Sequence, residues 1–110
     1  MSSDGKVFLY VAGPMSGYEG FNYPAFFDAE HSLVSAGYAV LNPARNPKQA
    51  SWDGYMRAAI AQVIAADGIA VLPDWQMSAG AALEVHIAHA LRVPVHSVDH
   101  WLALHAEAAS

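Results

Sequence analysis

Apolar and polar positions fall into two patterns along this chain: short unbroken apolar runs, and longer stretches with helical spacing. Val7 to Ala12 is an unbroken apolar run that stops at Gly13-Pro14. Such a run, with no polar alternation, predicts a strand buried on both faces. Gly17, Gly20 and Asn22-Tyr23-Pro24 give loop and helix-start signals. Asparagine is a good cap, and proline fits a first turn. Residues 24–36 place Phe26, Phe27, Leu33 and Val34 at helical spacing, and Gly37 is the expected stop. Tyr38 to Leu41 predicts a second short strand, ended by Asn42-Pro43. A polar loop covers 42–51, and Ser51 or Asp53 can cap a helix over 52–65. Gly68 to Leu72 is a third strand closed by Pro73, with a helix over about 79–91 after it. Pro94 to Val98 is a fourth strand, and the alanine-rich tail from Asp99 reads as a short last helix.

The resulting order is βαβαβαβα in a single domain spanning 1–110, with no internal repeat or linker. Strands alternating with helices imply a parallel sheet covered on both faces and joined by right-handed crossovers. In such sheets ligands sit beyond the carboxyl ends of the strands, where strand order reverses. That rule selects four stretches: Gly13 to Gly20, Asn42 to Trp52, Pro73 to Gly80, and the segment after Val98.

Composition narrows the picture. Hydrophobic residues make up 55% of the 110 positions and charged residues 14%, too apolar a balance for a disordered chain. No apolar run approaches the roughly 18 residues of a membrane span. The start, Met1-Ser2-Ser3-Asp4-Gly5-Lys6, lacks the basic and apolar regions of a signal peptide. Cysteine is absent, so disulfides and thiolate metal sites are excluded, and a cytoplasmic location is expected. The net charge is −5, and the five basic residues (Lys6, Arg45, Lys48, Arg57, Arg92) are scattered. A nucleic-acid polymer needs a basic stripe, which this chain lacks. An anionic small ligand would therefore rest mainly on backbone N–H groups at a helix start.

Two of the selected stretches carry candidate chemistry. Ala12-Gly13-Pro14-Met15-Ser16-Gly17 follows the first strand, and its glycines permit close backbone approach by a ligand. It matches neither a dinucleotide fingerprint nor a Walker loop, and a plain tight turn fits it equally well. Ser78-Ala79-Gly80 sits where a helix cap belongs, and the free N–H groups of a first turn suit a phosphate. An ordinary capped helix is the simpler reading. Glu84 is the sharper anomaly: it is the single Asp, Glu, Lys or Arg between Asp74 and Arg92, flanked by Ala82, Leu83, Val85 and Ile87. Burying a carboxylate there is costly unless it is paired. It lies roughly 9 Å along the helix axis from the cap, so one ligand can span both. A carboxylate beside an anomeric carbon can attack it and form a glycosyl ester. A glutamate with its head in solvent is the alternative. His86 and His89 stand three apart, but nothing nearby completes a metal site. Asp67, at the far end of the sheet, reads as a turn residue, whereas Trp52 and Trp75 lie in site-side loops where either can stack on a base or pack in the core.

Tyr10-Val11-Ala12-Gly13-Pro14-Met15-Ser16-Gly17, Asn42-Pro43, Trp52 with Tyr55-Met56-Arg57, Asp67, Leu72-Pro73-Asp74-Trp75 and Ser78-x-Gly80-x-x-x-Glu84 occur in that order. Together they resemble a DUF4406-like group of small phage and bacterial proteins. That group is similar to the nucleoside 2-deoxyribosyltransferases and the 2'-deoxynucleoside 5'-phosphate N-hydrolases. The resemblance covers roughly residues 7–98. It implies a flavodoxin-like three-layer α/β sandwich with a four- to five-stranded parallel sheet, and cleavage or transfer at an N-glycosidic bond. It makes Glu84 the nucleophile and Tyr10 the group that orients it. Gly13, Pro14, Met15, Ser16 and Gly17 would line sugar and base, Asn42 and Trp75 would add substrate contacts, and Ser78 with Gly80 would hold a 5'-phosphate. No cofactor or metal is implied, and a homodimer or larger homo-oligomer is. One departure stands out: the enzymes carry an aspartate near the base where this chain has Ala59, and alanine cannot protonate a leaving base. A second family glycine is Ala82 here.

The expected function is thus a nucleotide N-glycosidase or deoxyribosyltransferase-like enzyme. The rival is a non-catalytic nucleotide-binding module that kept the pocket, and a third reading is a structural protein whose helices serve oligomerisation. Ala59 favours the module; the isolated Glu84 favours the enzyme.

Overall fold

The computed structural model describes residues 5–109. The signal-peptide reading at Met1 to Asp4 lies outside them. Eight elements alternate: β1 (Phe8–Ala12), α1 (Tyr23–Ala36), β2 (Ala39–Leu41), α2 (Trp52–Ala65), β3 (Gly68–Val71), α3 (Ala79–Ala90), β4 (Val95–Ser97) and α4 (Val98–Ala109). Each lies within two residues of its expected bounds. Three short 3-10 turns, Glu19–Asn22, Pro43–Arg45 and Trp75–Met77, were not expected; all three fall in the loops beyond the carboxyl ends of β1, β2 and β3.

The strands form one parallel sheet in the order β2-β1-β3-β4, with Phe8 opposite Ala39, Leu9 opposite Gly68 and Ile69 opposite Val95. Four strands form, the lower end of the expected four to five. The fold is the flavodoxin-like α/β sandwich: order reverses between β1 and β3, which opens a crevice at their carboxyl ends.

Alternation along the central strands divides the core in two. Leu9 and Val11 of β1 and Ala70 of β3 face Phe26, Ala29 and Leu33 of α1 and Trp101 of α4. Tyr10, Ala12 and Ile69 face Ala59 and Val63 of α2 and Ala81 and Ala88 of α3. The first core is built from large side chains. The second is mostly alanine, which lets helices approach the sheet closely and leaves room at their ends.

Local signals explain most boundaries. Gly37 stops α1 in a left-handed conformation (φ 110°), with Gly37 N–H donating to Val34 O and Tyr38 N–H to Leu33 O. Ser51 caps α2 by accepting from Gly54 N–H, so Ser51 rather than Asp53 is the cap. Asn22 does not cap α1: its backbone is left-handed and its side chain donates to Pro14 O instead, at 2.9 Å. Asp67 has the turn role expected of it, with Oδ2 accepting from Phe8 N–H at 2.9 Å. Among the described residues no helix is long and apolar enough to cross a membrane.

α4 is locked to the sheet through Trp101. Its indole N–H donates to Ile69 O at 2.8 Å, and its own carbonyl accepts from the Tyr38 hydroxyl at 2.7 Å. The ring sits where a side chain on Gly68 would go: a Cβ there would lie 2.6 Å from Trp101 Cζ2 and 2.9 Å from Leu9 Cδ2. Gly68→Ala should therefore overpack the core and lower stability by about 1–3 kcal/mol. Urea unfolding followed by circular dichroism checks this.

Candidate functional site

On the alanine-rich face, the crevice beyond β1 opens into a cleft of about 840 Å³. Its walls come from the loop after β1 with the start of α1, the loop after β2 with the start of α2, and the first turns of α3. That volume falls in the range of small-molecule sites.

Glu84 lies at the base of this cleft. The buried stripe of α3 is Ala81, Glu84, Val85 and Ala88, so a carboxylate occupies a core position of the helix. Glu84 is 6% exposed and Tyr10 is 1% exposed. The Tyr10 hydroxyl, pointing from β1 toward α3, donates to Glu84 Oε2 at 2.9 Å. Both residues line the cleft. Burial pushes the Glu84 carboxyl up from 4.5 to about 7, while the Tyr10 hydrogen bond opposes that rise by stabilising the anion. Burial and the adjacent carboxylate together hold the Tyr10 phenol well above its ordinary range. The shared proton therefore stays on the phenol, and Glu84 is the group that titrates near neutrality.

Ser78 stands at the rim as the cap of α3, its Oγ accepting from Ala81 N–H at 3.2 Å. The helix cannot itself pair the N–H groups of Ala79 and Gly80, and both residues line the cleft. The absent side chain of Gly80 accommodates Met56: a Cβ there would come within 3.2 Å of its sulfur. Gly13 serves packing as well as access, because a Cβ on it would lie 2.7 Å from Leu72 Cδ1. Pro14, Met15 and Ser16 also line the cleft.

Three residues expected as contacts are not among those that line the cleft. Gly17 supplies a left-handed turn (φ 83°) between Ser16 and Tyr18, which do line it. Asn42 is buried and fully engaged in local structure: Oδ1 accepts from Ala44 N–H at 2.9 Å, and Nδ2 donates to Glu30 Oε1 at 3.2 Å and Phe26 O at 3.4 Å. Trp75 packs against the alanine-rich core and borders a separate hollow of about 530 Å³. Of the two tryptophans weighed for stacking, Trp52 is the one in the cleft, 58% exposed.

The structure adds residues that sequence reasoning missed. Lys48 is the one basic side chain among the described residues lining the cleft, brought there by the loop after β2. Tyr18, Phe21 and Tyr55 line it as well. A large apolar residue in a glycine-asparagine turn, as at Gly20-Phe21-Asn22, is the signal that would have found Phe21. Ala59 is buried in the cleft wall, so a carboxylate at that position would belong to the cleft; Arg57 and Asp53 do not line it. Among the described residues no three His, Cys, Asp or Glu side chains converge as a metal site would require.

The parallel α/β sheet carries a buried, partnered carboxylate in its switch-point cleft, the end at which sheets of this class hold ligands. Residues 7–97 match the family model described as a domain of unknown function (DUF4406), and the chain belongs to that family. No curated protein matches it.

The raised Glu84 value has a consequence for stability. The folded chain binds this proton more tightly than the unfolded chain does. Folding is therefore favoured at acid pH, and that advantage is lost as pH rises from about 4.5 through about 7. The full penalty is about 3 kcal/mol. Glu84→Gln should match wild type near about pH 4 and exceed it in stability by up to about 3 kcal/mol near about pH 8, measured by urea unfolding at both.

Proposed function

We propose that this chain is a nucleotide N-glycosidase or deoxyribosyltransferase-like enzyme of the nucleoside 2-deoxyribosyltransferase-like superfamily. Its substrate would be a (deoxy)nucleoside 5'-monophosphate. The observation that carries the reading is the buried Glu84–Tyr10 pair at the base of a cleft whose rim is the capped start of the same helix.

The phosphate would rest on the Ala79 and Gly80 N–H groups and the Ser78 hydroxyl, where the helix dipole favours an anion. Lys48 adds positive charge to the same cleft. The ionised Glu84 carboxylate attacks C1' of the sugar. The C1'–N bond breaks, and the base leaves with that electron pair and takes a proton from water. Water, or a second base, then attacks C1' and releases the carboxylate. Tyr10 keeps its proton throughout and holds one carboxylate oxygen, which aims the other at the ligand. These side chains suffice for the chemistry without a cofactor. A cytoplasmic setting and homo-oligomeric assembly go with this reading.

A second reading is supported by Ala59. The cleft wall has a methyl group where a proton donor would help the base depart, and a binding module has no need of one.

Incubation with deoxy- and ribonucleoside monophosphates, followed by chromatography for free base, separates the two. The enzyme releases base, and Glu84→Gln lowers the rate by roughly three orders of magnitude or more. A thermal shift with no release identifies the module. A shift with nucleosides and none with monophosphates removes the phosphate assignment.

The rate should rise with pH through about 7, because the nucleophile must be ionised. Tyr10→Phe removes the bond that favours the anion. It should move that limb to higher pH and cut the rate at neutral pH roughly tenfold or more. A pH–rate profile of both proteins tests this.

A further inference from the structure

Gly20, Phe21 and Asn22 run consecutively through the left-handed region, at φ/ψ of 59/26, 54/26 and 60/16 degrees. Glycine and asparagine tolerate that conformation; a phenylalanine rarely adopts it. Core burial does not account for the residue, since Phe21 is 61% exposed. Its one aromatic neighbour among the described residues is Tyr23, tilted at 43° with centroids 6.0 Å apart. The turn is nevertheless pinned: Asn22 Nδ2 donates to Pro14 O at 2.9 Å, and Phe21 N–H donates to Tyr18 O at 3.0 Å. The ring is thus presented at the cleft at a strained position tied to the loop after β1. Observed strain of this kind is a pointer to a functional position.

Exposed aromatic rings are concentrated here. Among the described residues Tyr18, Phe21, Trp52 and Tyr55 are exposed and line this one cleft. The other exposed Phe, Tyr or Trp ring among the described residues, Phe27, lies under the Arg45 guanidinium, 4.8 Å from its centroid.

We propose that Phe21 is a stacking residue for the planar heterocycle of the cleft's ligand, with Trp52 as a second aromatic surface in the same cleft. The proposal rests on the nucleotide reading and extends it to substrate class. Stacking on a ring face accepts every base, so the cleft recognises that a base is present without selecting which one.

The test uses the full chain, with dAMP, dCMP and 2-deoxyribose 5-phosphate as probes in calorimetry and intrinsic tryptophan fluorescence. Phe21→Leu should weaken both nucleotides about tenfold and leave the sugar phosphate unchanged, while Phe21→Tyr binds like wild type. Phe21→Gly should weaken the nucleotides as Phe21→Leu does, yet melt no lower than wild type, because glycine relieves the left-handed backbone. Loss of binding without loss of stability is what a packing role cannot produce. The proposal is overturned if Phe21→Leu binds the nucleotides like wild type, or weakens the sugar phosphate equally. It also falls if Phe21→Gly melts lower with binding intact, or if the variants dissociate an oligomer in sedimentation with nucleotide affinity unchanged. Wild-type protein that binds none of the three probes sinks the nucleotide reading together with this one; wild-type binding with an indifferent Phe21→Leu sinks this one alone.

Discussion

A carboxylate occupies a core position of α3, and the phenol of Tyr10 makes that position tenable. Burying a carboxyl group without a partner is costly enough to disfavour the helix that carries it. The hydrogen bond from β1 to Glu84 Oε2 offsets part of that cost and links the central strand to α3. Burial, opposed by that bond, leaves Glu84 titrating at about 7, where a small change in surroundings decides whether it is charged. The stability penalty and the readiness of this carboxyl to change charge near neutrality therefore have one origin.

The two faces of the sheet divide the work. On the α1 and α4 side, Phe26, Leu33 and Trp101 fill the space with large side chains, and Trp101 and Tyr38 add hydrogen bonds to backbone carbonyls. On the α2 and α3 side, Ala59, Ala81 and Ala88 fill little volume, and Tyr10 is the largest fully buried side chain. The cleft opens on that second side, where Tyr10, Ala59, Ala81 and Glu84 line it. The switch in strand order decides at which end the crevice lies.

Strong local signals were legible in the residues. The unbroken run at Val7 to Ala12, Gly37 as a stop, and Ser51 and Ser78 as caps each rest on chemistry within a few positions. Glu84 stood out because it is one charge in a long apolar stretch. Asn42 and Trp75 looked equally placed for a ligand, since both sit just past strand ends. Their side chains turn elsewhere for reasons no local pattern holds: Asn42 meets Glu30 and Phe26 of α1, and Trp75 packs on the alanine-rich core. Asn22 had the chemistry of a cap and spends it on Pro14.

The sequence by itself determined the alternation of strands and helices, the end of the sheet at which the cleft opens, and the odd carboxylate, because periodicity, caps and charge isolation are local properties. Only the tertiary structure decided which hydroxyl meets Glu84, since Tyr10 is 74 positions away and arrives through strand order and side-chain alternation. Only it gathered Tyr18, Phe21, Lys48, Trp52 and Tyr55 around one opening, because nothing local to two separate loops and the start of α2 specifies that their rings and charge share a cleft.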